Sequence, residues 1–368
     1  VYLYDAHPES TLRGAEPGAI IARRKGAIVR ATIDGAVWIG HAKPKDPLPA
    51  PFKLPATLAL ADLLEGVPES DPGVLPARRT DTWQDIAYEE VDAVGYLHFD
   101  FYNGAMSTDQ CLRLREAFRA AAQRPTRVIV LMGGPDFWSN GIHLNHIEAA
   151  PSPADESWRN INAMDDLCRA ILECTTHLTI AAMQGNAGAG GVFLALAADR
   201  VWARRGVILN PHYKGMGNLY GSEYWTYLLP RRVGAERARE LTQRRLPIGA
   251  PQAAALGLID ECFGANASQF AAEVRERARA LVNGIGARLD EKRARRTRDE
   301  HAKPLAQYRA EELERMQLNF YGFDPSYHVA RYHFVHRLPH AWTPLHLARH
   351  RRTAWRRRGA VAVQDGAQ

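Results

Sequence analysis

The chain has 368 residues, 46% hydrophobic and 24% charged, with a formal net charge of +6. That length predicts two or three domains, and that composition predicts a soluble globular protein with a sizeable core. No apolar run approaches the ~18 residues a membrane span needs, and no nucleic-acid-binding motif accompanies the surplus of base. Cys111, Cys168, Cys174 and Cys262 lack CxxC spacing. This argues against a metal site or a disulfide framework and for a reduced, cytoplasmic setting.

Residues 1–45 read as β. Strands are expected over Ala19–Arg23, Ala27–Ile33 and Ala36–Gly40, turning at Arg24-Lys25-Gly26 and at Asp34-Gly35, a strong hairpin dipeptide. Three strands are too few for an independent domain, so the start of this unit is expected to precede Val1. Residues 46–82 are proline-rich and read as a linker, with a short helix over Thr57–Glu65.

From about residue 83 the pattern becomes α/β. Strands are predicted at Val94–Phe101, Arg127–Met132, Leu178–Met183 and Arg200–Ala203. Helices are predicted at Asp109–Gln123, Ser157–Cys174 and Gly191–Ala198. Such alternation implies a sheet with crossover helices. Residues 266–368 read as helical, with Ser268–Val282 and Lys303–Leu318 clearest. Between Arg331 and Arg358 lie eight arginines, five histidines and no acid. This is either a solvated tail or a contact for an acidic partner or a phosphate-bearing ligand.

Two glycine-rich segments carry the chemistry. Gly185-Asn186-Ala187-Gly188-Ala189-Gly190-Gly191 nearly lacks side chains, so a ligand can approach its backbone. The helix after it turns unpaired N–H groups toward the same place. Alone, this run reads equally well as a tight turn packed on a neighbour. A second segment, Phe137 to Leu144, follows a buried strand, and Gly141 frees the backbone to point the Ile142 N–H into a cleft. Two such donors suit a thioester carbonyl.

Phe137–Leu144 resembles the F-x-A-G-x-D-[LI] signature of the crotonase (enoyl-CoA hydratase/isomerase) superfamily, with Asn140 and His143 as departures. Gly185–Asp199 resembles its G-x-A-x-G-G-G-x-E-[LI]-A-x-x-x-D signature. The resemblance implies repeated ββα units over residues 83–265, C-terminal helices, a coenzyme A thioester as substrate and often a trimer. It also implies an oxyanion hole from the N–H groups of Ile142 and Gly190, with Gly141 and Gly191 beside the ligand. Phe101, Tyr102 and Asn103 are expected to border the CoA site. One fold hosts many reactions, so the match does not fix which.

Hydratases of this superfamily carry a glutamate where this chain has Phe193, and another where it has Asn210-Pro211-His212. Two-glutamate hydration is therefore not expected. In its place stands NPHYKGMGNLYGSEYWTY, Asn210 to Tyr227, holding His212, Tyr213, Tyr220 and Glu223. A carboxylate beside phenols in an apolar pocket can have its pKa raised into a useful range. That stretch, and LYDAHPES at 3–10 with the following hairpins, resemble the HypX (HoxX)-type hydrogenase maturation family. There a formyltransferase C-terminal β-domain precedes a crotonase domain.

The resemblance implies that formyl-CoA is split to CO and CoA, supplying a ligand of [NiFe]-hydrogenase iron. Glu223 would be base, Tyr213 acid, with the roles reversible and His212 and Tyr220 as alternates. Phe193 and Trp138 would keep water out. No metal and no tightly bound cofactor is implied; tetrahydrofolate belongs to a formyl-transfer half that this chain lacks. A hydrogenase maturation partner is implied; nucleic acid and membrane are not, and the oligomeric state stays open. A thioesterase, a hydratase/isomerase and a non-catalytic CoA-binding scaffold remain as alternatives.

Overall fold

The structure, a computed structural model, describes residues 1–45 and 51–338. The N-terminal unit is an antiparallel sheet in the order Tyr2–Glu9, Ala36–Lys43, Ala27–Ala31, Ile20–Arg24, with Leu54–Pro55 added to Ala36–Lys43. The three expected strands are present. The strand Tyr2–Glu9 escaped the sequence reading because it lies at an edge, half exposed, and is interrupted by Pro8 and a left-handed Asp5 (φ 60°). In place of one helix over Thr57–Glu65 there is a single α-turn, Ala56–Ala59, then a 3-10 turn, Ala61–Leu63. Ala56 and Leu64 pack under Ile28 and Ile39, so this stretch covers one face of the sheet.

Trp38 fills the other face with Val29, Ala22 and Trp83. Its Nε1–H donates to buried Glu9 at 2.6 Å, and the Thr82 hydroxyl donates to the same carboxylate at 2.5 Å. Burial opposes the charge on Glu9. Hydrogen bonds from Thr11, Thr82 and Trp38 outweigh it and hold the carboxyl at about 2. Arg24 stacks on Trp38 at 4.5 Å and donates to Ser70 Oγ and the Trp83 carbonyl. A buried anion and a buried cation thus fasten residues 70–83 to the sheet.

The larger unit is built on a six-stranded sheet: Ile86–Val91, Val94–Phe99, Val128–Met132, Leu178–Met183, Arg200–Arg204, Glu261–Phe263. The first pair is antiparallel and the rest are parallel. Both faces are covered, which is why VIVLM and LTIAAM read as unbroken apolar runs. Helices Thr108–Ala121 and Pro153–Glu173 pack on one face, and Ala267–Val282 on the other. Ser107 and Gln110 form a capping box that starts the first of these.

Leu305–Tyr321 matches the expected helix. Two helices, Ile285–Ala302 and Ser326–Val335, are additional. The former buries only Leu289 and Lys292, so it has no apolar stripe to read. Of the basic segment, Arg331 to Leu338 is described; the rest lies outside the described residues. Arg331 is a buried partner of Glu148 at 2.7 Å rather than part of a solvated run. No helix among the described residues is long and apolar enough to cross a membrane.

Removing the acceptor at Glu9 would leave Trp38 Nε1 and the Arg24 charge buried with less compensation. Glu9→Ala is expected to cost about 3 kcal/mol and to lower the unfolding temperature of the chain. Unchanged thermal unfolding would show that the fastening carries no stability.

Candidate active site

A second, four-stranded sheet places the site. Its order is Phe137–Ser139, Asn186–Gly188, Ile208–Asn210, Ile248–Gly249. Phe137 pairs with Asn186, Ser139 with Ala187, and Gly188 with Asn210. The two glycine segments are therefore adjacent strands, and the Asn210–Tyr227 segment leaves from the third. The helix that follows the glycines, Gly190–Leu196, packs tightly against both loops because its first two residues lack side chains. A Cβ on Gly191 would lie 2.0 Å from the Ser139 carbonyl oxygen. A Cβ on Gly190 would lie 2.1 Å from Glu223 Oε1. Ala189, just before, is held at φ 47°, a costly conformation for alanine.

Ile142, Gly141, Gly190, His212, Tyr213 and Glu223 line one cavity of about 190 Å³, with Asn140, Leu144, Ile161, Met216 and Leu219. Tyr220 does not reach it. Its N–H bonds Asn319, and its ring pairs with Trp225 on a neighbouring cavity that shares His212 and Tyr213. Gly191 lies behind the wall. Phe101 and Tyr102 line a separate cleft of about 320 Å³ between the two units, with His41, His143 and Arg113. Asn103, left-handed at φ 57°, gives its carbonyl to Asn140 Nδ2 at 2.8 Å. Neither Phe193 nor Trp138 lines this cavity, although the expected water-excluding role requires it. Phe193 stacks on Tyr213 from behind, and Trp138 Nε1 donates to the Gly191 carbonyl.

Tyr213 OH lies 2.5 Å from Glu223 Oε2 and 3.0 Å from the Ser222 carbonyl. The phenol proton therefore has two acceptors. With Glu223 ionised it donates to the carboxylate. With Glu223 protonated, the carboxyl can donate to the phenol oxygen while the phenol donates to Ser222. The Ser222 N–H also reaches Oε2 at 3.2 Å, leaving Oε1 turned toward Gly190. Burial first, and the charge of Asp165 second, push Glu223 well above the usual carboxylate range. Burial and the adjacent Glu223 push the Tyr213 phenol well above its ordinary value. Burial lowers His212, so its ring is neutral. Among the described residues neither of its nitrogens has a hydrogen bond; the Arg245 carbonyl faces the ring without hydrogen-bonding geometry.

The sequence reading missed Asp165, Ser222 and Glu312. Ser222 Oγ donates to Asp165, and both acids accept backbone N–H groups of the segment carrying Glu223. A signal existed. Asp165 stands in the apolar stripe Ile161, Met164, Cys168, and Glu312 in Leu305, Met316, Phe320. His143, where the signature has Asp, is a buried helix cap, its Nδ1 accepting from the His146 N–H at 3.2 Å. Burial holds it at about 3, so it stays neutral. Among the described residues, no group of His, Cys, Asp and Glu is arranged to hold a metal.

The contacts of the two glycines separate their roles. Gly191→Ala meets a backbone carbonyl and is expected to cost about 1–3 kcal/mol. Gly190→Ala meets the end of a side chain and is expected to cost less while displacing Glu223. Thermal unfolding of both variants checks the order; the reverse order would contradict these contacts.

Residues 96–343 match the enoyl-CoA hydratase/isomerase family. The hydrogenase maturation factor HoxX of Bradyrhizobium diazoefficiens is 55% identical over 352 residues, covering 95% of this chain and 60% of that protein. HypX from Aquifex aeolicus, solved in complex with tetrahydrofolic acid, superposes with a TM-score of 0.90 at 50% identity, over 95% of this chain and 62% of that one. The chain thus spans about 60% of the length of these relatives. An enoyl-CoA hydratase from Bacillus halodurans shares the fold, with a TM-score of 0.60 at 21% identity. Matched over two thirds of its length by the family and carrying both glycine segments on adjacent strands, this chain belongs to the enoyl-CoA hydratase/isomerase family.

Proposed function

We propose that this chain splits formyl-CoA into carbon monoxide and CoA, as a step of cytoplasmic [NiFe]-hydrogenase maturation. The observation that carries this reading is the Glu223–Tyr213 pair, buried at 2.5 Å against Gly190 in a cavity of about 190 Å³. A cavity that small suits a very small acyl group. The likeness to HoxX and HypX supports the setting. Phe193, buried at the hydratase glutamate position, cannot move a proton.

The N–H groups of Ile142 and Gly190 hold the formyl oxygen, and the 101–103 edge of the neighbouring cleft borders the CoA moiety. Glu223 Oε1 takes the formyl proton, and rotation of the carboxyl then turns that O–H to the phenol. The C–S bond breaks, its electron pair stays on sulfur, and carbon keeps its oxygen as CO. The thiolate takes the proton back through the pair: Tyr213 gives its phenol proton to sulfur as Glu223 returns one to the phenol. No free phenolate need form, which matters because burial makes one costly. The protein ends as it began, with no net redox change.

Purified protein given formyl-CoA is expected to release CO, read by haemoglobin absorbance. Glu223→Gln and Tyr213→Phe are each expected to lower the rate by roughly 10²–10⁴-fold, the usual worth of general acid–base groups. Formate as sole product would instead mark a thioesterase, and no product a scaffold. Full activity in both variants would overturn the assignment.

The ionised form of Glu223 is the base, and its folded environment raises its affinity for a proton. The rate is therefore expected to climb with pH well above the ordinary carboxylate range. A profile already flat at mildly acidic pH would contradict this role.

A further inference from the structure

The segment bearing Glu223 has an unusual backbone. Glu223 and Tyr224 are consecutive left-handed residues, at φ 60° and 58°. Neither is glycine, and such residues persist only where their surroundings over-determine them. Two carboxylates do this from two helices. Asp165, on Pro153–Glu173, accepts the Glu223 N–H at 2.7 Å and the Ser222 hydroxyl at 2.7 Å. Glu312, on Leu305–Tyr321, accepts the Tyr224 N–H at 2.9 Å, the Thr226 N–H at 2.8 Å and the Thr226 hydroxyl at 2.5 Å. Ser222 Oγ also lies 3.5 Å from Glu312 and so stands between the two acids.

We propose that Asp165 and Glu312 are positioning residues for Glu223, fixing the left-handed turn that aims its carboxylate at Gly190. Burial pushes both of these acids above the ordinary carboxylate range as well; where either is ionised, its charge favours the protonated form of Glu223. All three carboxylates are essentially without solvent contact, at 0–1% exposure. Like charges in such surroundings interact strongly and oppose one another's ionisation. Among the described residues, one cation contacts the group: Arg309, with Nε 3.7 Å from Asp165 and its fork end on Asp166. The other titratable groups near Glu223 are Tyr213 and the buried thiols Cys111 and Cys168, which burial keeps protonated, and His212 in the same cavity, which burial keeps neutral. Arg309 offsets part of the charge of Asp165 and contacts neither Glu223 nor Glu312 among the bonds described. The cluster so holds more acid than base around one useful carboxyl.

That Glu223 acts on substrate rests on the function proposed above; the arrangement of the turn does not. Asp165→Asn keeps an oxygen for the Glu223 N–H and an amide for Ser222 while removing the charge. The titration of Glu223 can be followed without substrate, through the infrared band of its protonated carboxyl, assigned by its loss in Glu223→Gln. The midpoint is expected to move down by on the order of one pH unit in Asp165→Asn. In Glu312→Gln it should move the same way, by less. If either variant fails to fold, the other decides. A midpoint unmoved in the folded variants would overturn the proposal. A shifted midpoint in a protein that releases no CO would uphold the positioning role and reject the decarbonylase reading.

Discussion

An oxygen of Glu223 occupies the space that a side chain at position 190 would need. Much of the site depends on that contact. It requires glycine at the head of the 190–196 helix, and the 137–139 and 186–188 strands side by side so that the helix starts there. On the other side it requires a backbone turn that residues other than glycine rarely adopt. The bare backbone of one element and the strained backbone of another thus meet at one carboxylate.

Holding that carboxylate has an energetic consequence. Buried acids relieve the turn by accepting its N–H groups, yet each added charge makes the others harder to ionise. The chain limits the conflict with one arginine and several hydroxyls rather than with an equal number of cations. The balance leaves a stronger base than an exposed glutamate would be. Around it, His212 remains neutral by burial, and both buried cysteines remain thiols. Titration at this site is concentrated in carboxylates.

The sequence displayed the sheet and the glycine segments because their patterns are local. Val128–Met132 and Leu178–Met183 are apolar throughout, since they are covered on both faces. The glycines at 185, 190 and 191 are imposed by close contacts. Tyr2–Glu9 and Ile285–Ala302 were hidden, one an edge strand with a proline, the other a helix with scarcely any buried face. Glu223 and Tyr213 stood out by residue type, but their 2.5 Å contact depends on Gly221, whose missing side chain makes room for the phenol ring. Asp165 and Glu312 lie 58 and 89 residues from Glu223, so only the folded chain reveals what they hold.

The most direct test follows the carbon of the formyl group through a single turnover. Excess protein is mixed with formyl-CoA labelled at the formyl carbon, and the labelled products are counted against free CoA thiol. The expected result is labelled carbon monoxide and thiol in equal amounts. Label recovered as formate, or left on CoA, would contradict the decarbonylation proposed for Glu223 and Tyr213.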